Sequence, residues 1–499
     1  MATPNGSSVN NFNMVKILFP VILVVLLLSC NEKEDIPTFA LLTENPLDIS
    51  GESAKLVGRL ITSEKLQVDD HGFWVDTKQE FSDPLVVSLG VRNGPGRFIG
   101  EIRSLAPGRV YYVKSFTQSG GDFSFGNVIQ LNSLSPGIYS FSPQYASQGQ
   151  IIEILGLNLG ADTRVFFDDT EAAIQEIVLE SLLRVTIPPI QNNPSPFIKV
   201  ISNGVELVFD IPFEYMVGKF RPINFPETFR LSNSVSFQAN GKVYVGSGQK
   251  SEFVINSDYW EFDPITDNWE KLDLGIKPHL YGFGVSGYFG GGSESIRSNN
   301  QFTFNKAFWF WDGNGLIRKA DLPFKSINSI AFESNGRIFV LGGSLKEFET
   351  SLFEYTPETD SWKIGIDFPF PIQNNLPYYV YKDKFYFITE RKELYELDPE
   401  TGERNIIGTF PGENINGFGT ASVSGDRAII GFYKQEVEIW ELDLIQLKWK
   451  RKINFPGVFL GNNLGFFAQD GLFYLLRSTD QPLAINGSME FWEFDPDAF

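Results

Sequence analysis

The sequence has few of the residues that hold metal ions, form disulfides or bind polyanions. Its 499 residues include one cysteine, Cys30, and two histidines, His71 and His279. A single cysteine cannot form a disulfide within the chain, so apolar cores and closed sheets must supply the stability. The net charge of −20 argues against binding to nucleic acid or to anionic lipid, because both require a basic surface.

Residues and motifs that could support catalysis are also scarce. His71 is predicted to cap a strand rather than to bind a metal, because no second ligand lies near it in the sequence. The sequence shows no nucleophile–base pair, no phosphate-binding loop and no cluster of metal ligands. We therefore predict a protein that is not an enzyme and that needs no cofactor and no metal.

The single cysteine ends an apolar segment near the N-terminus. Lys16 precedes the run Ile17 to Leu28, which has the length of a signal peptide, and Ser29-Cys30 follow it. The segment resembles a bacterial lipobox, which implies that Cys30 becomes a lipid-bearing N-terminus and that Met14 is the true start. The alternative is an uncleaved anchor with a chance cysteine. No later stretch is apolar for long enough to span a bilayer.

The residues after Cys30 predict where the body of the protein is located. Asn31-Glu32-Lys33-Glu34-Asp35 resembles the acidic surface-export tether of Bacteroidota lipoproteins. This resemblance implies a signal peptide over 1–30, a tether over 31–36 and a body held at the outer membrane by lipid alone. A solvated acidic linker is the alternative, and the choice between the periplasm and the exterior stays open.

Two segments with strand-like alternation follow, and each predicts an immunoglobulin-like β-sandwich. In 37–132, the stretch Leu105 to Tyr112 is similar to fibronectin type III domains of bacterial surface lipoproteins. In 135–216, the run Gly149 to Gly160 and the later strands resemble the IPT/TIG domain. Both sandwiches are interpreted as spacers with a secondary role in docking.

A hairpin of two aromatic strands recurs through 219–499. In the first copy, Asp258 to Leu272, the aromatic residues favour strands, and Asp263-Pro264 and Asp267-Asn268 suit a tight turn. Related hairpins follow at 352–362, 394–404, 438–449 and 490–499. Glycine-rich strands precede the hairpins, as in Asn335 to Gly343. With a spacing of about 45 residues, this pattern resembles the kelch family, which implies a β-propeller.

A second marker predicts six blades. A segment that ends in proline follows each outer strand, at 224–226, 275–278, 321–323, 367–369, 409–411 and 454–456. The last hairpin has no outer strand after it, and Lys219 to Ile223 lies before any complete hairpin. We therefore predict an all-β chain of two sandwiches and a six-bladed propeller, in which Lys219 to Ile223 closes the ring and removes an open sheet edge.

A repeated asparagine before the first strand of each blade predicts a ligand site at the mouth of the central channel. Amides supply donors and acceptors that suit sugar hydroxyl groups. The predicted site residues are Asn233, His279, Tyr281, Asn328, Asn374, Asn375, Asn416 and Asn463, where His279 and Tyr281 are alternatives for the divergent second blade. The competing interpretation is that these asparagines only satisfy neighbouring backbone groups and hold the blades together.

The resemblance to the kelch family also suggests two classes of enzyme. Copper radical oxidases resembling galactose oxidase need a Tyr–Cys crosslink and paired histidines, which this chain lacks. Sugar mutarotases with six blades need acid and base groups in the channel, for which Glu390-Arg391 and Arg477 are candidates. Our leading hypothesis is capture of an extracellular glycan near an outer-membrane uptake system. The alternatives are a docking scaffold in an envelope protein complex and a sugar mutarotase or epimerase.

Overall fold

The computed structural model describes residues 39–63, 66–226, 231–251, 254–296, 301–343, 345, 350–368, 376–413, 415, 418–457, 461–479 and 489–499. These residues form β-strands and turns, without a helix, so the predicted all-β class is confirmed. It follows that none of the described segments is an apolar helix of membrane-spanning length. The chain divides into two compact units, Met1–Leu134 and Ser135–Phe499. The finer domain boundaries stay predictions.

The first unit contains two antiparallel sheets around one core. One sheet has the strands Phe39–Leu47, Ala54–Thr62 and Gly96–Ile102, and the other has Leu85–Ser88, Asp70–Asp76, Val110–Ser119 and Asp122–Asn132. Gln67–Val68 pairs with Arg92–Asn93 beside them. Alternate residues point inward, so Leu56 from one sheet and Val113 from the other are buried in the same cluster. The backbone N–H of Ala106 donates to the hydroxyl oxygen of Tyr111 at 2.7 Å.

The second unit begins with a nearly closed sheet of seven strands. In spatial order these are Gly137–Ser142, Ile151–Leu157, Leu182–Thr186, Thr170–Val178, Arg164–Phe167, Phe197–Ser202 and Val205–Pro212, and the first and last strands also touch. Tyr145–Ala146 and Glu214–Tyr215 form a short parallel pair. Ile152, Val165 and Val200 are fully buried inside this immunoglobulin-like fold.

The rest of the second unit contains six antiparallel sheets of four strands, counted over the described residues. From the innermost strand outward, sheet 1 has Val235–Ala239, Lys242–Gly246, Tyr259–Asp263 and Asn268–Leu272. Sheet 2 has Phe283–Val285, Tyr288–Gly290, Phe308–Trp311 and Leu316–Lys319. Sheet 3 has Ile330–Ser334, Arg337–Leu341, Ser351–Thr356 and Ser361–Asp367.

The remaining three sheets follow the same order. Sheet 4 has Tyr378–Tyr381, Lys384–Ile388, Glu393–Leu397 and Arg404–Thr409. Sheet 5 has Thr420–Ser424, Arg427–Gly431, Ile439–Asp443 and Lys448–Arg451. Sheet 6 has Gly461–Gln469, Leu472–Thr479 and Glu490–Asp495, with Lys219–Pro222 as its outermost strand.

The six sheets form a closed cycle, because each innermost strand contacts the innermost strands of the sheets before and after it. Sheet 6 takes its outer strand from the start of this region, where Phe220 lies opposite Phe494. The rings of these two residues stack with centroids 4.4 Å apart. This is the strand pairing that the missing outer strand of the last hairpin predicts.

The immunoglobulin-like fold is attached to sheet 5 of the same unit. The ring of Tyr145 meets the ring of Trp440 edge to face at 5.4 Å. Val217 forms a parallel bridge with Lys452, and the N–H of Ile453 donates to the carbonyl of Val217 at 3.0 Å. Hydrogen bonds and ring packing therefore join this fold to the cycle of sheets.

Candidate functional site

A cavity of about 1150 Å³ runs along the axis of the six sheets. Its wall is built from the innermost strands and from the loops at both of their ends. Hydroxyl and amide side chains are frequent in the wall: Asn233, Ser234, Ser236, Gln238, Asn240, Asn328, Ser334, Asn335, Thr420, Ser422, Asn462, Asn463 and Ser478. Tyr281, Tyr378 and Phe418 add aromatic rings to the wall. The cavity therefore offers uncharged hydrogen-bonding groups beside apolar ring surfaces.

Two short hairpins stand at one end of the cavity. Gln249–Ser251 pairs with Val254–Ile255 between the second and third strands of sheet 1, and Ser293–Ile296 pairs with Phe302–Phe304 between those of sheet 2. The second hairpin reaches the cavity wall, because the rings of Tyr281 and Phe302 lie 5.8 Å apart, edge to face. This end of the cavity is called the mouth below.

The loops that lead into the innermost strands are connected to one another around the mouth. Asn233, Tyr281 and Asn328, one from each of the first three sheets, have left-handed backbones with φ of 53°, 59° and 55°. The N–H of Tyr281 donates to the carbonyl of Asn233 at 3.0 Å, and the N–H of Asn328 donates to the carbonyl of Tyr281 at 2.9 Å. Asparagine tolerates this conformation better than most residues, so the repeated asparagine has a backbone cause.

The asparagine side chains also bind protein atoms. The Asn233 amide donates to the side-chain oxygen of Gln249 at 2.7 Å. The Asn463 amide donates to the carbonyls of Phe418 and Phe432 at 2.9 and 3.0 Å, which joins sheet 6 to sheet 5. The Oδ1 atom of Asn463 is buried without a partner among the described residues. These contacts fit the interpretation that the asparagines hold neighbouring sheets together.

The structure separates the two alternatives given for the second sheet. Tyr281 lines the cavity, whereas His279 does not. The His279 ring is fully buried, with Nδ1 2.8 Å from the carbonyl of Gly291. Burial lowers the pKa of His279 to about 4, so its imidazole is neutral at pH 7. His279 therefore acts as a packing residue between sheets 1 and 2 and is not in reach of a ligand in the cavity.

Some predicted residues lie outside the part of the chain that the structure describes. These are Asn374, Asn375, Asn416 and the predicted lipidation site Cys30. The structure thus brings Asn233, Tyr281, Asn328 and Asn463 together at the mouth and leaves the completeness of the predicted amide ring open.

The acid and base candidates for a mutarotase do not line the cavity. Glu390 and Arg391 are exposed in the turn after Lys384–Ile388. Arg477 is buried, with Nη2 donating to the carbonyl of Gly461 at 2.8 Å and with its guanidinium 4.9 Å from the centre of the Phe455 ring. Burial lowers the pKa of Arg477 to about 10, which leaves the side chain charged at pH 7.

The tyrosines of the wall remain hydrogen-bonding groups across the physiological pH range. Burial raises the pKa of Tyr281 and raises that of Tyr378 to about 12, so both phenols keep their protons. Among the described residues, no group of three or more histidine, cysteine, aspartate or glutamate side chains is arranged to hold a metal ion. Hydrogen bonding and ring contact are two means by which this wall can bind a ligand.

Sequence reasoning missed several wall residues inside the strands. Ser236, Gln238, Glu333 and Ser422 lie on innermost strands and line the cavity. Gln238 and Glu333 share one offset, since each lies one residue before the end of its strand, whereas Ser422 and Ser236 lie two and three residues before it. Alternation alone does not tell which face of an innermost strand is directed toward the axis.

Comparison with known proteins identifies one segment of the chain. Residues 136–215 match the family model of the IPT/TIG domain, which confirms the predicted resemblance of that segment. No curated protein matches this sequence.

Two solved structures are similar to larger parts of the chain. One is a crystal structure of a structural genomics protein of unknown function from Bacteroides thetaiotaomicron VPI-5482, with 13% identity, a TM-score of 0.39, and coverage of 72% of this chain and 98% of that one. The other is the structure of YjhT, with 14% identity, a TM-score of 0.40, and coverage of 52% of this chain and 93% of that one. At these TM-scores, neither similarity decides the fold or the function.

Proposed function

We propose that this protein is a lipid-anchored cell-surface binding protein that captures an extracellular glycan near an outer-membrane uptake system. The glycan would bind in the central cavity of a six-bladed kelch β-propeller formed by 219–499. The observation that carries the proposal is the composition of the cavity wall, which combines amides and hydroxyls with aromatic rings. Amides and hydroxyls match the donors and acceptors of sugar hydroxyl groups, and aromatic rings pack against sugar C–H faces.

The cyclic arrangement of the sheets supports the propeller interpretation. Each four-stranded sheet would be one blade, with the innermost strands around the axis. Sheet 6 would be the closing blade, since Lys219–Pro222 pairs with Glu490–Asp495. Closure of this kind leaves the cavity as the concave site that propellers commonly use for ligands.

The remaining domains would hold the propeller away from the membrane. The N–H of Ala106 bound to the hydroxyl of Tyr111 supports a fibronectin type III-like first unit, because sandwiches of this class use such a tyrosine corner. The apolar run before Cys30 supports the lipid anchor. The IPT/TIG segment, packed on sheet 5, would fix the orientation of the propeller.

A glycan array probed with the chain from Asn31 onward tests the proposal. We expect binding to a defined oligosaccharide, and we expect Phe418→Ala to weaken it about 2- to 10-fold, because ring contacts contribute about 0.5–1.5 kcal/mol. Phe418 lines the cavity and is 38% exposed, so its removal leaves the melting temperature nearly unchanged. Ile364→Ala, on the outer strand of sheet 3, is the matched control and keeps full affinity.

Other outcomes of the same experiment contradict the proposal. An array without binding, together with co-purification of a membrane protein complex, indicates the docking scaffold. Hydrolysis or epimerisation of a bound sugar indicates an enzyme.

The asparagines at the mouth need a variant that separates backbone strain from ligand contact. Asn328→Ala puts alanine at a φ of 55°, and this left-handed backbone is strained for alanine with or without a ligand. Asn328→Gly keeps the left-handed backbone and removes the amide. Loss of glycan affinity with an unchanged melting temperature in Asn328→Gly supports a ligand contact, whereas unchanged affinity assigns Asn328 to the backbone alone.

A further inference from the structure

The charged side chains of the cavity wall have one sign. Asp312, Glu333 and Asp383 line the cavity, and no lysine, arginine or histidine is present among its described lining residues. A carboxylate, sulfate or phosphate on a ligand would lose part of its hydration there without gaining an opposite charge. The wall therefore opposes acidic ligands and tolerates neutral or cationic ones.

Two of these three carboxylates accept hydrogen bonds from backbone N–H groups of the protein. Asp312 Oδ1 accepts the N–H groups of Asn314 and Gly315, each at 2.8 Å. Asp383 Oδ1 accepts the N–H of Asn335 at 2.9 Å. Asp312 thus stabilises the turn between the third and fourth strands of sheet 2, and Asp383 stabilises the turn after the innermost strand of sheet 3, both at the end of the cavity opposite the mouth.

Glu333 differs from both aspartates. It lies within the innermost strand Ile330–Ser334, its neighbours in that strand are buried, and its own side chain is exposed. Among the described residues, its carboxylate has no basic group within 4.0 Å and no hydrogen bond to a protein donor. The carboxylate is therefore solvated inside the cavity and available to a ligand.

The other innermost strands offer few polar groups at the position equivalent to Glu333, and these six equivalent positions form one level of the cavity. The residues that pair with the second strand at the equivalent position are Gln238, Gly284, Glu333, Val380, Val423 and Ala468. Of these, Gln238 is already bound, since its amide donates to the carbonyl of Ala468 at 3.0 Å. Glu333 is thus the one member of this level with a free ionic group.

We propose that Glu333 is a specificity-determining residue, and that the cavity takes neutral sugars and amino sugars but rejects acidic sugars such as uronic acids. This inference rests on the proposed glycan-binding function and names the class of glycan. A protonated amino group beside the carboxylate gains a charge-assisted hydrogen bond, whereas a ligand carboxylate at the same place is repelled.

The test uses glycans that share one backbone and differ in one substituent. The neutral oligosaccharide that binds best on the array is compared with its amino and uronic acid forms, by calorimetry with the full chain from Asn31 onward. At low ionic strength we expect about fourfold tighter binding of the amino form and about fourfold weaker binding of the acidic form, as for unit charges about 5 Å apart in a water-like medium. High salt reduces both differences.

Glu333→Gln separates the charge from the shape of the side chain. This variant should lose most of the discrimination between the charged forms, with each affinity expressed relative to that of the same variant for the neutral glycan. Glu270→Gln, on the outer strand of sheet 1, is the matched control and should discriminate as the wild type does. Melting temperatures of both variants check that the fold is intact.

Three results would overturn the inference in different ways. Acidic glycans among the tightest ligands contradict the class directly. Equal discrimination by the wild type and Glu333→Gln shows that another group sets the specificity, although the glycan-binding function stands. Absence of binding to any glycan removes the proposed function itself and this inference with it.

Discussion

Two junctions between neighbouring sheets differ in how the chain reaches them. At the junction of sheets 1 and 2 the chain is continuous, and the rings of Phe237 and Phe289 stack with centroids 5.1 Å apart. Beside the junction of sheets 6 and 1, the two ends of the region meet inside sheet 6, where Lys219–Pro222 pairs with Glu490–Asp495. There Arg221 binds Glu493, which lies 272 residues further along the sequence.

The junction of sheets 6 and 1, called the closing junction below, contains more side-chain hydrogen bonds than the junction of sheets 1 and 2, called the continuous junction. Arg221, on the outer strand of sheet 6, contacts Glu493 within that sheet at 2.6 Å and Asp267 of sheet 1 across the junction at 2.9 Å. Ser236 and Gln238 of sheet 1 donate to carbonyls of the innermost strand of sheet 6. Along the chain, sheet 1 follows directly only from the outer strand of sheet 6, so these polar side chains join it to the three strands of sheet 6 that come from the end of the region. The conformational cost of closing so long a loop grows only slowly with its length, so a few such contacts are enough.

The largest effect is expected from removing an aromatic ring at each junction. Phe491 packs against Phe262 at 4.8 Å in the closing junction, and Phe289 is fully buried in the continuous one. Phe491→Ala and Phe289→Ala should each lower the free energy of unfolding by about 3–5 kcal/mol, measured by denaturant titration.

Hydrogen exchange then separates the two variants. Phe491→Ala should increase exchange of the amides in Lys219–Pro222 under native conditions, because that strand is held by contacts and not by a short connection. Phe289→Ala should leave those amides protected. Equal exchange in both variants would mean that the six sheets open as one unit.

A smaller effect is expected from crowding the continuous junction. A β-carbon added at Gly284 would lie 2.6 Å from the carbonyl oxygen of Ser236, which is backbone and cannot turn away. Gly284→Ala should therefore destabilise the protein by about 1–3 kcal/mol. Gly315→Ala, where the added carbon meets nothing within 4 Å, is the control and should be neutral. Equal denaturation midpoints for the two variants would show that the sheets can move apart freely.

Much of the fold is predictable because its units repeat. The recurring aromatic hairpin, together with the missing outer strand of its last copy, predicts that residues near Phe220 complete the last sheet, and the structure pairs Phe220 with Phe494. Such a prediction needs only local strand patterns and the rule that open edges are avoided.

The candidate site is less predictable from the sequence. The repeated asparagines are visible, but their left-handed backbone at Asn233 and Asn328 is not, since the same amides also suit a ligand. His279 and Tyr281 are two residues apart, and only the turn closed by the N–H of Gly282 and the carbonyl of His279 sends them to different places. Glu333 was missed because it lies inside an ordinary strand pattern.

Acid should weaken the continuous junction through His279. The pKa of His279 is about 4 in the folded protein, whereas a histidine exposed to water has a pKa of 6.5, so the unfolded chain binds the extra proton between these values. Stability is fully present above about pH 6.5 and falls as the pH drops toward 4. From pH 7 to pH 5.5 the expected loss is about 1 kcal/mol.

The His279→Gln variant is the test of this assignment. Its free energy of unfolding should change less between pH 7 and pH 5.5 than that of the wild type, whatever its stability at pH 7. The carboxylates whose pKa is lowered, such as Asp76 and Asp443, contribute only at more acidic pH. The same slope in the variant and the wild type would assign the acid sensitivity to other groups.

The smallest effect is expected at the ion pairs of the closing junction. Arg221 binds two carboxylates with its side chain 43% exposed, so solvent weakens both pairs. Arg221→Met should cost about 0.5–1 kcal/mol at low salt and less at high salt. Arg184→Met is a close control, because Arg184 also binds two carboxylates at 43% exposure but lies within the seven-stranded sheet.

Limited proteolysis tells whether the Arg221 pairs hold the ring closed. Both arginine variants should lose similar stability, but only Arg221→Met should be cleaved faster near Asn224. Arg221 joins the strand Lys219–Pro222 to Glu493 in sheet 6 and to Asp267 in sheet 1. Faster cleavage should appear at low salt and equal that of the wild type at high salt, where the ion pairs are screened in both proteins. Cleavage near Asn224 that is equally slow in Arg221→Met and Arg184→Met would mean that aromatic packing alone closes the ring, and that the long-range ion pairs follow from closure without contributing to it.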